Sequence, residues 1–135
     1  MKLHFFGSGS GESILLEGPA GWGMVDCFTA RGGRVPPLEY LEARGARRLW
    51  FLALTHPHED HYDGLDRVTR FFLQRDGIQE FWRYPAVGAE ALFPWLEARA
   101  RRQPGPYQAR QTQSIANLRS AMTDLAEPLR QGRTE

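Results

Sequence analysis

Three of the four histidines in this chain fall within six consecutive positions, and this cluster limits the choice of fold more than any other feature. It belongs to the stretch THPHEDHYDG at positions 55–64. The apolar run at 49–54 that precedes it is typical of a buried strand, and apolar positions at helical spacing follow it. The histidines are therefore expected on a strand-to-helix turn. Because open α/β sheets bind ligands at the carboxyl ends of strands, this turn is the first candidate for a functional site.

The spacing within the cluster favours metal binding. His56 and His58 are two residues apart, so an extended backbone points both side chains to one side, where they can hold the same ion. Asp60 and His61 follow at the turn, which can aim a carboxylate and a third imidazole at a second ion. Paired ions about 3.5–4 Å apart are a recurrent arrangement in hydrolysis, because they hold both the attacking and the leaving oxygen. An exposed polar loop that happens to be rich in histidine is the alternative.

The segment at 56–61 resembles the HxHxDH motif of the metallo-β-lactamase-fold hydrolases. The resemblance implies that His56 and His58 bind one metal ion and that Asp60 and His61 bind the other. It also implies that Asp60 is the catalytic residue that handles a proton. The implied cofactors are two divalent metal ions, Zn²⁺ first, with Mn²⁺ or Fe as alternatives.

A glycine-rich loop carries a second similarity. Residues 9–16, GSGESILL, are similar to the first hairpin of the metallo-β-lactamase-fold domain attached to the bacterial DNA-uptake channel ComEC. Glycine lets such a loop pass close to another part of the chain. No Gly-Lys-Ser/Thr follows, so the loop is not a phosphate-binding P-loop. This branch of the family favours a phosphodiester bond, in nucleic acid or a nucleotide, as the substrate.

Asp26 lies at the end of a predicted strand over 22–28, on a face that is otherwise apolar. A carboxylate in such a place needs a partner. In the family, an Asp at this position lies beneath the metal site and orients it, so the resemblance implies that Asp26 supports the ligands without being one. A simple strand-end turn residue is the alternative. His4 alternates with apolar neighbours in the first predicted strand and is expected to be a strand histidine, not a ligand.

The remaining pattern predicts an α/β fold. Strands are expected over 2–6, 13–17, 22–28, 47–54 and 78–84, and the continuous apolar run in the fourth predicts burial on both faces. Helices are expected from Pro36 to Gly45, from Asp63 as N-cap to residue 76, over 89–101 and over 108–131. Apolar stripes on the last two helices consist of Leu92, Phe93 and Leu96, and of Ile115, Leu118, Met122, Leu125 and Leu129.

The family pattern requires ligands that the chain lacks. No histidine follows His61, and the later aspartates lie in helical or turn contexts. The strands of a second sheet are also missing. The expected architecture is therefore the first half of a metallo-β-lactamase-type αββα sandwich over 1–85, with a helical segment of the same domain over 86–135. An isolated half should leave a sheet edge and an apolar face open. The chain would then be a piece of a longer protein, be completed by a protein partner, or be a degenerate binding version.

Composition adds limits. A chain of 135 residues with 41% hydrophobic content can bury one modest core. It has no apolar run of membrane-spanning length and no secretory leader, so no membrane partner is expected. The single cysteine, Cys27, fits a reducing compartment, and the cytoplasm is the expected location. From Arg99 onward seven arginines oppose three acidic residues, which indicates either a patch for polyanions or a solvated helix face.

Two functions follow. The first is a di-zinc-type hydrolase that is active when complete, with the 135 residues alone expected to be inactive. Lactams, thioesters and other esters stay open as substrates, because a fold does not determine a function. The second is a non-catalytic subunit that docks a partner in a larger assembly, such as an antiviral defence system. This second function predicts exposed apolar helix faces over 86–131 and no turnover.

Overall fold

The computed structural model describes residues 1–7, 11–83 and 89–131. The five strands are β1 (Lys2–Phe6), β2 (Ser13–Gly18), β3 (Gly21–Val25), β4 (Leu49–Leu54) and β5 (Ile78–Arg83). The α-helices are α1 (Pro36–Ala43), α2 (Glu59–Tyr62), α3 (Leu65–Leu73), α4 (Ala89–Ala100) and α5 (Gly105–Gln131), and a 3₁₀ turn spans Arg31–Gly33. The predicted α/β class is confirmed. Among the described residues, no helix is both long enough and apolar enough to cross a membrane.

The strands form one mixed sheet in the order β1-β2-β3-β4-β5. The first three strands are antiparallel neighbours, whereas β4 runs parallel to β3 and β5 runs parallel to β4. The carboxyl ends of β3, β4 and β5 consequently meet at one edge of the sheet. The segment that leaves β3 there carries Asp26, and the segment that leaves β4 carries the histidine cluster.

One face of the sheet is covered by helices. Its central row joins Leu15, Met24 and Leu52 across three strands, and all three side chains are fully buried. Helices α3 and α5 both contact β5, and α1 contacts β2. The apolar core combines these residues with Phe93, Leu96 and others of α4 and α5. The segments 1–85 and 86–135 therefore share one core.

The opposite face of the sheet is open among the described residues. Its cross-strand rows consist of Leu3, Leu16, Gly23 and Phe51, and of Phe5, Ile14, Val25, Ala53 and Trp82. Phe5 is 72% exposed and Trp82 is 47% exposed, although the Trp82 ring stacks on Phe51 with 4.4 Å between centroids. An uncovered apolar face is what the expectation of half a sandwich requires.

The fourth strand differs from its prediction. It begins at Leu49, not at residue 47. Phe51 and Leu52 lie on opposite faces and are 4% and 0% exposed, so the strand is buried on both faces there, as predicted. Trp50 is the exception: it is 40% exposed, lies at an irregularity in the pairing with β3, and has its ring 6.5 Å from that of Trp82.

The segment after the histidine cluster also differs from its prediction. It forms two helices, α2 and α3, and Asp63 is not the N-cap: Gly64 occupies the N-cap position of α3, and no side chain caps it. The Gly64 N–H donates to the Cys27 carbonyl at 2.9 Å, and a Cβ on Gly64 would lie 2.8 Å from the Cys27 sulfur. This close backbone contact breaks the helix at Gly64, while the Asp63 carboxylate accepts a hydrogen bond from Ser114.

The helical segment follows its predicted pattern with small shifts. Helix α5 begins at Gly105 instead of residue 108, because Pro106 fits the first turn of a helix. The two apolar stripes are buried at Phe93, Leu96, Ile115, Leu118 and Leu125 and partly buried at Leu92 and Met122, whereas the side chain of Leu129, like the whole of Tyr84, lies outside the described residues. The stripes therefore belong to the core, whereas Trp95 of α4 and Tyr107 of α5 are large apolar side chains that are exposed, and the exposed helix faces of the second function stay a prediction.

Candidate metal centre

The edge where β3 and β4 end brings Asp26 and the histidine cluster together. The Asp26 N–H donates to the Ala53 carbonyl at 2.8 Å, which extends the pairing of the two strands by one step. The Cys27 N–H then donates to the carbonyl of His61 at 2.7 Å. These backbone bonds hold α2 against the end of β3. Asp26 and His61 are therefore neighbours in space although they are 35 positions apart in the sequence.

The backbone of Asp26 has a φ of 54°, the only positive φ at a non-glycine position among the described residues. Aspartate tolerates this left-handed conformation better than most residues, but it remains unfavourable. The conformation ends β3 before the predicted residue 28, so Asp26 leaves the strand and turns towards β4. Strained residues that their surroundings hold in place are concentrated at functional sites.

The Asp26 carboxylate is buried and fully hydrogen-bonded. Its Oδ1 accepts the Thr55 N–H at 2.8 Å, and its Oδ2 accepts the Thr55 hydroxyl at 2.5 Å. The same Oδ2 lies 2.8 Å from Nδ1 of His61, which is also buried. A carboxylate in this position assigns the proton to Nδ1, because a carboxylate can only accept. The Nε2 lone pair of His61 is thereby left available as a metal ligand.

Thr55 fixes the tautomer of a second histidine, His56. Its hydroxyl donates to Asp26, so the hydroxyl oxygen can accept the Nδ1–H of His56, at 3.0 Å. This assignment leaves Nε2 of His56 free as well. One buried carboxylate thus selects the metal-binding tautomer of two imidazoles, one directly and one through Thr55. The sequence reasoning gave Thr55 no role, and its only signal was its position immediately before the cluster.

Asp26, His56 and His61 each offer one ligand atom, and these three atoms lie within 4.8 Å of one another. The ring centroids of His56 and His61 are 3.7 Å apart. Both oxygens of Asp26 already accept hydrogen bonds, so Asp26 supports the imidazoles, and the donors left for an ion are Nε2 of His56 and Nε2 of His61, a ligand type that divalent zinc prefers. The chemistry of the donors therefore fits a divalent metal ion.

The other two predicted ligands lie at the border of this group. The His58 ring centroid is 4.8 Å from that of His56, and Oδ2 of Asp60 is 3.6 Å from Nε2 of His61. The sequence paired His56 with His58, whereas the structure brings His56 closest to His61. Loss of hydration, followed by the charges of His56 and Arg99, lowers the pKa of His58. A lowered pKa favours the neutral imidazole, which is the form that binds metals.

The glycine-rich loop approaches the cluster. Gly11 has a φ of 130°, and a Cβ there would lie 2.7 Å from Cβ of Phe28 and 3.0 Å from the Asp60 carbonyl. Only glycine allows the backbone to pass this close. A cavity of about 410 Å³ lies between this loop and the cluster, with Gly11, Glu12, Asp60 and His61 in its lining. Residues 8–10 of the loop lie outside the described part of the chain.

A second cavity, of about 420 Å³, separates the cluster from the last two helices. One wall contains Pro57, His58, Glu59, Asp60 and Tyr62, and the other contains Leu96, Arg99, Arg110, Gln111 and Ile115. We call this cavity the helical cleft. Helix α5 is joined to α2 at its edge, where Arg110 Nε donates to Glu59 at 2.8 Å. The sequence reasoning did not connect the helical segment with the site.

Comparisons with protein-family models, with curated proteins and with solved structures found no match to this chain. The class of protein is therefore defined by the fold and the site alone. It is a mixed α/β domain with a candidate metal centre at the carboxyl ends of β3 and β4.

Proposed function

We propose that this chain is the metal-binding part of a metal-dependent hydrolase of the metallo-β-lactamase type, and that its substrate is a phosphodiester in nucleic acid or a nucleotide. The observation that carries the proposal is the convergence of His56 and His61 on the buried carboxylate of Asp26 at adjacent strand ends, which leaves one nitrogen of each imidazole free for a metal. The HxHxDH pattern supplies the type of reaction, and the cavities on either side of the cluster supply room for a substrate.

Divalent ions are the proposed cofactors, with Zn²⁺ first and Mn²⁺ or Fe as alternatives. His56 and His61 would hold the first ion, whereas His58 and Asp60 lie near enough to contribute to a second. When bound, such ions activate water for attack at neutral pH and stabilise charge on the leaving oxygen. A second ion needs further ligands, and no histidine follows His61 in the sequence to supply one. A protein partner that completes the fold is the proposed source.

The chain's own residues have two further roles in this proposal. Asp26 and Thr55 hold the imidazoles in the metal-binding tautomer. The Asp60 side chain is 48% exposed and lies 3.6 Å from the His61 ring, so it can exchange a proton with the reacting groups. Lactams, thioesters and other esters are the competing substrate classes.

Metal analysis and a hydrolysis assay test the proposal together. Purified protein is expected to contain at least one zinc equivalent by mass spectrometry, and His56→Ala should reduce Zn²⁺ affinity by about 100-fold. His4→Gln is the matched control, because it removes an imidazole elsewhere and should leave the affinity unchanged. Once the fold is completed, hydrolysis of bis(p-nitrophenyl) phosphate should require the metal and should be lost in His56→Ala, whereas the chain alone should not hydrolyse it. A protein that binds no divalent metal at micromolar concentration would contradict the proposal.

A non-catalytic binding module is the second candidate, and the open sheet face favours it. Leu3, Phe5 and Trp82 expose apolar surface on that face, and such patches mark sites of interaction. This candidate predicts that the chain binds metal without turnover, even when a partner covers the face. Metal-dependent hydrolysis by the chain, alone or with a partner, would exclude it.

A further inference from the structure

We propose that the helical cleft binds an anionic phosphate group of the substrate and that Arg99 and Arg110 are the residues that recognise it. This inference rests on the proposed hydrolase function, but it concerns residues outside the histidine cluster. It also assigns a role to the helical segment, whose excess of arginine had two interpretations in the sequence, a patch for polyanions or a solvated helix face.

The position of the cleft supports this role. His58 and Asp60 line one wall and the two arginines line the other, so one bound molecule can contact the candidate metal centre and the guanidinium groups together. A volume of about 420 Å³ lies within the usual range of small-molecule sites, roughly 300–1,000 Å³. A phosphodiester whose scissile bond lies at the cluster would therefore have its charged oxygens or its neighbouring phosphate within reach of the arginines.

Arg110 is held in position while most of its donors stay available. Its Nε donates to Glu59 at 2.8 Å, and its side chain is 65% exposed. A guanidinium has five N–H donors, so this bond leaves the terminal amino groups for a ligand. The ion pair with Glu59 fixes the plane of the group, which suits the two-point contact that arginine makes with phosphate.

Arg99 supplies a positive charge without a carboxylate partner in the described part of the chain. It is exposed, and its guanidinium carbon lies 5.6 Å from the Trp95 ring. Its side chain lines the helical cleft opposite His58 and Asp60. An arginine without a counter-ion beside a candidate metal site is suited to an anionic ligand.

The acidic residues of the cleft do not cancel this preference. Glu59 is engaged by Arg110 and by the Ser114 hydroxyl at 3.2 Å. Asp63 accepts the Ser114 hydroxyl at 2.5 Å. Asp60 and Asp63 keep their charges, and both lie on the wall formed by the cluster, where a bound cation would offset them.

The other arginines of the helical segment supply a control. Arg119 pairs with Glu97, and Arg102 is exposed in the turn after α4 without lining the cleft. Arg102→Gln therefore changes the net charge by the same amount as Arg99→Gln and Arg110→Gln, but outside the proposed site. Glu59→Gln is a second control, because it breaks the ion pair of Arg110 while it keeps the guanidinium.

The experiment measures binding and hydrolysis of bis(p-nitrophenyl) phosphate, a monoanion, and of its neutral methyl triester, with the zinc-loaded protein. Arg99→Gln and Arg110→Gln should each weaken binding of the monoanion by about 10-fold, as expected for a charge-assisted hydrogen bond, and raise KM with little change in kcat. Binding of the neutral triester should stay within about twofold of wild type. Arg102→Gln should behave as wild type, and Glu59→Gln, which releases Arg110 but keeps its charge, should weaken binding of the monoanion by less than Arg110→Gln does.

Each contrary result has one meaning. No binding of the monoanion to wild type, an equal loss for both ligands, or an equal loss in Arg102→Gln would overturn the role of the two arginines. Binding that depends on Arg99 and Arg110 in a protein that takes up no divalent metal would contradict the proposed function and leave the recognition of phosphate in place. Thermal melting of each variant identifies any loss of binding that comes from misfolding. Arg110→Lys keeps the positive charge but removes the two-point hydrogen bonding of the guanidinium, so it separates these two contributions.

Discussion

His4 on β1 and the three histidines after β4 belong to the same sheet but have different surroundings. Nε2 of His4 lies 3.1 Å from the Glu17 carboxylate, and its Nδ1 lies 3.1 Å from the Tyr40 hydroxyl. Both ring nitrogens are therefore used within the fold. In the cluster, the contact with Asp26 occupies only Nδ1 of His61, and the contact with Thr55 occupies only Nδ1 of His56.

The difference teaches which property separates a candidate ligand from a structural histidine. Residue type is the same in both regions, and burial does not separate them, because His61 is more buried than His4. What differs is the number of ring nitrogens that have a partner within the fold: one in each of His56 and His61, and both in His4. A metal needs one free nitrogen whose tautomer is already fixed, and the carboxylate beneath the cluster supplies that condition.

The largest expected effect comes from removing that carboxylate's charge. Asp26→Asn keeps the shape, but the amide cannot accept three hydrogen bonds, so both imidazoles lose their fixed tautomer. Zn²⁺ affinity should fall by at least about 100-fold, and the free energy of unfolding by about 3 kcal/mol, as for other broken buried pairs. Calorimetric titration and urea denaturation measure the two effects. An affinity within threefold of wild type would mean that Asp26 does not control the cluster.

The next effect ranks the histidines within the cluster. His56→Gln removes a member of the three-atom group, whereas His58→Gln removes a neighbour of it. Zn²⁺ affinity should fall by about 100-fold in the first variant and by about 10-fold in the second. Equal losses would favour the pairing of His56 with His58 that the sequence predicted. The variants have the same composition change, so they are controls for each other.

Local sequence signals were sufficient for most of the fold. The spacing of apolar residues, together with the Gly and Pro residues that interrupt it, predicted β1, β2, α1, α4 and most of β5, because each of these elements is determined by neighbours in the chain. The cluster was also predictable, since three histidines at the end of an apolar run need no knowledge of the fold. The failure at Trp50 has a different origin. Trp50 lies at an irregularity in the pairing of β4 with β3, and a run of apolar residues cannot reveal where the register shifts.

The connections within the site could not be predicted, because they depend on distant pairings. Asp26 meets Thr55 and His61 only because β3 lies parallel to β4 and the chain turns at a positive φ. Arg110 reaches Glu59 only because α5 packs against α2. The resemblance to a family predicted that Asp26 supports the ligands. It offered nothing on the helical cleft, whose residues come from a segment that it did not cover.

A smaller effect is expected for Thr55, the link between Asp26 and His56. Thr55→Val keeps the shape and removes the hydroxyl, so the tautomer of His56 is no longer fixed while that of His61 is unaffected. Zn²⁺ affinity should fall by about 10-fold, at the lower end of the range for such supporting groups. Thr55→Ser restores the hydroxyl and should restore the affinity. A valine variant that binds as wild type would show that the relay through Thr55 has no influence.

The smallest effect is expected at His4, and this variant tests the comparison between His4 and the histidines of the cluster most directly. His4→Gln loses the ring contacts with Tyr40 and Trp22, whose centroids lie 5.0 and 5.6 Å away, and unfolding should cost about 1 kcal/mol less. The hydrogen bond from His4 is the largest cause of the lowered pKa of Glu17. A carboxylate whose pKa is lower in the folded than in the unfolded chain stabilises the fold at a pH above its unfolded pKa. This stabilisation is lost as the pH falls through the folded pKa and the carboxylate is protonated. The difference between wild type and variant should therefore shrink below about pH 4 in urea denaturation. Zn²⁺ affinity should not change, because neither nitrogen of His4 is free; a clear loss of affinity would mean that the arrangement of free and occupied nitrogens does not decide which histidines bind metal.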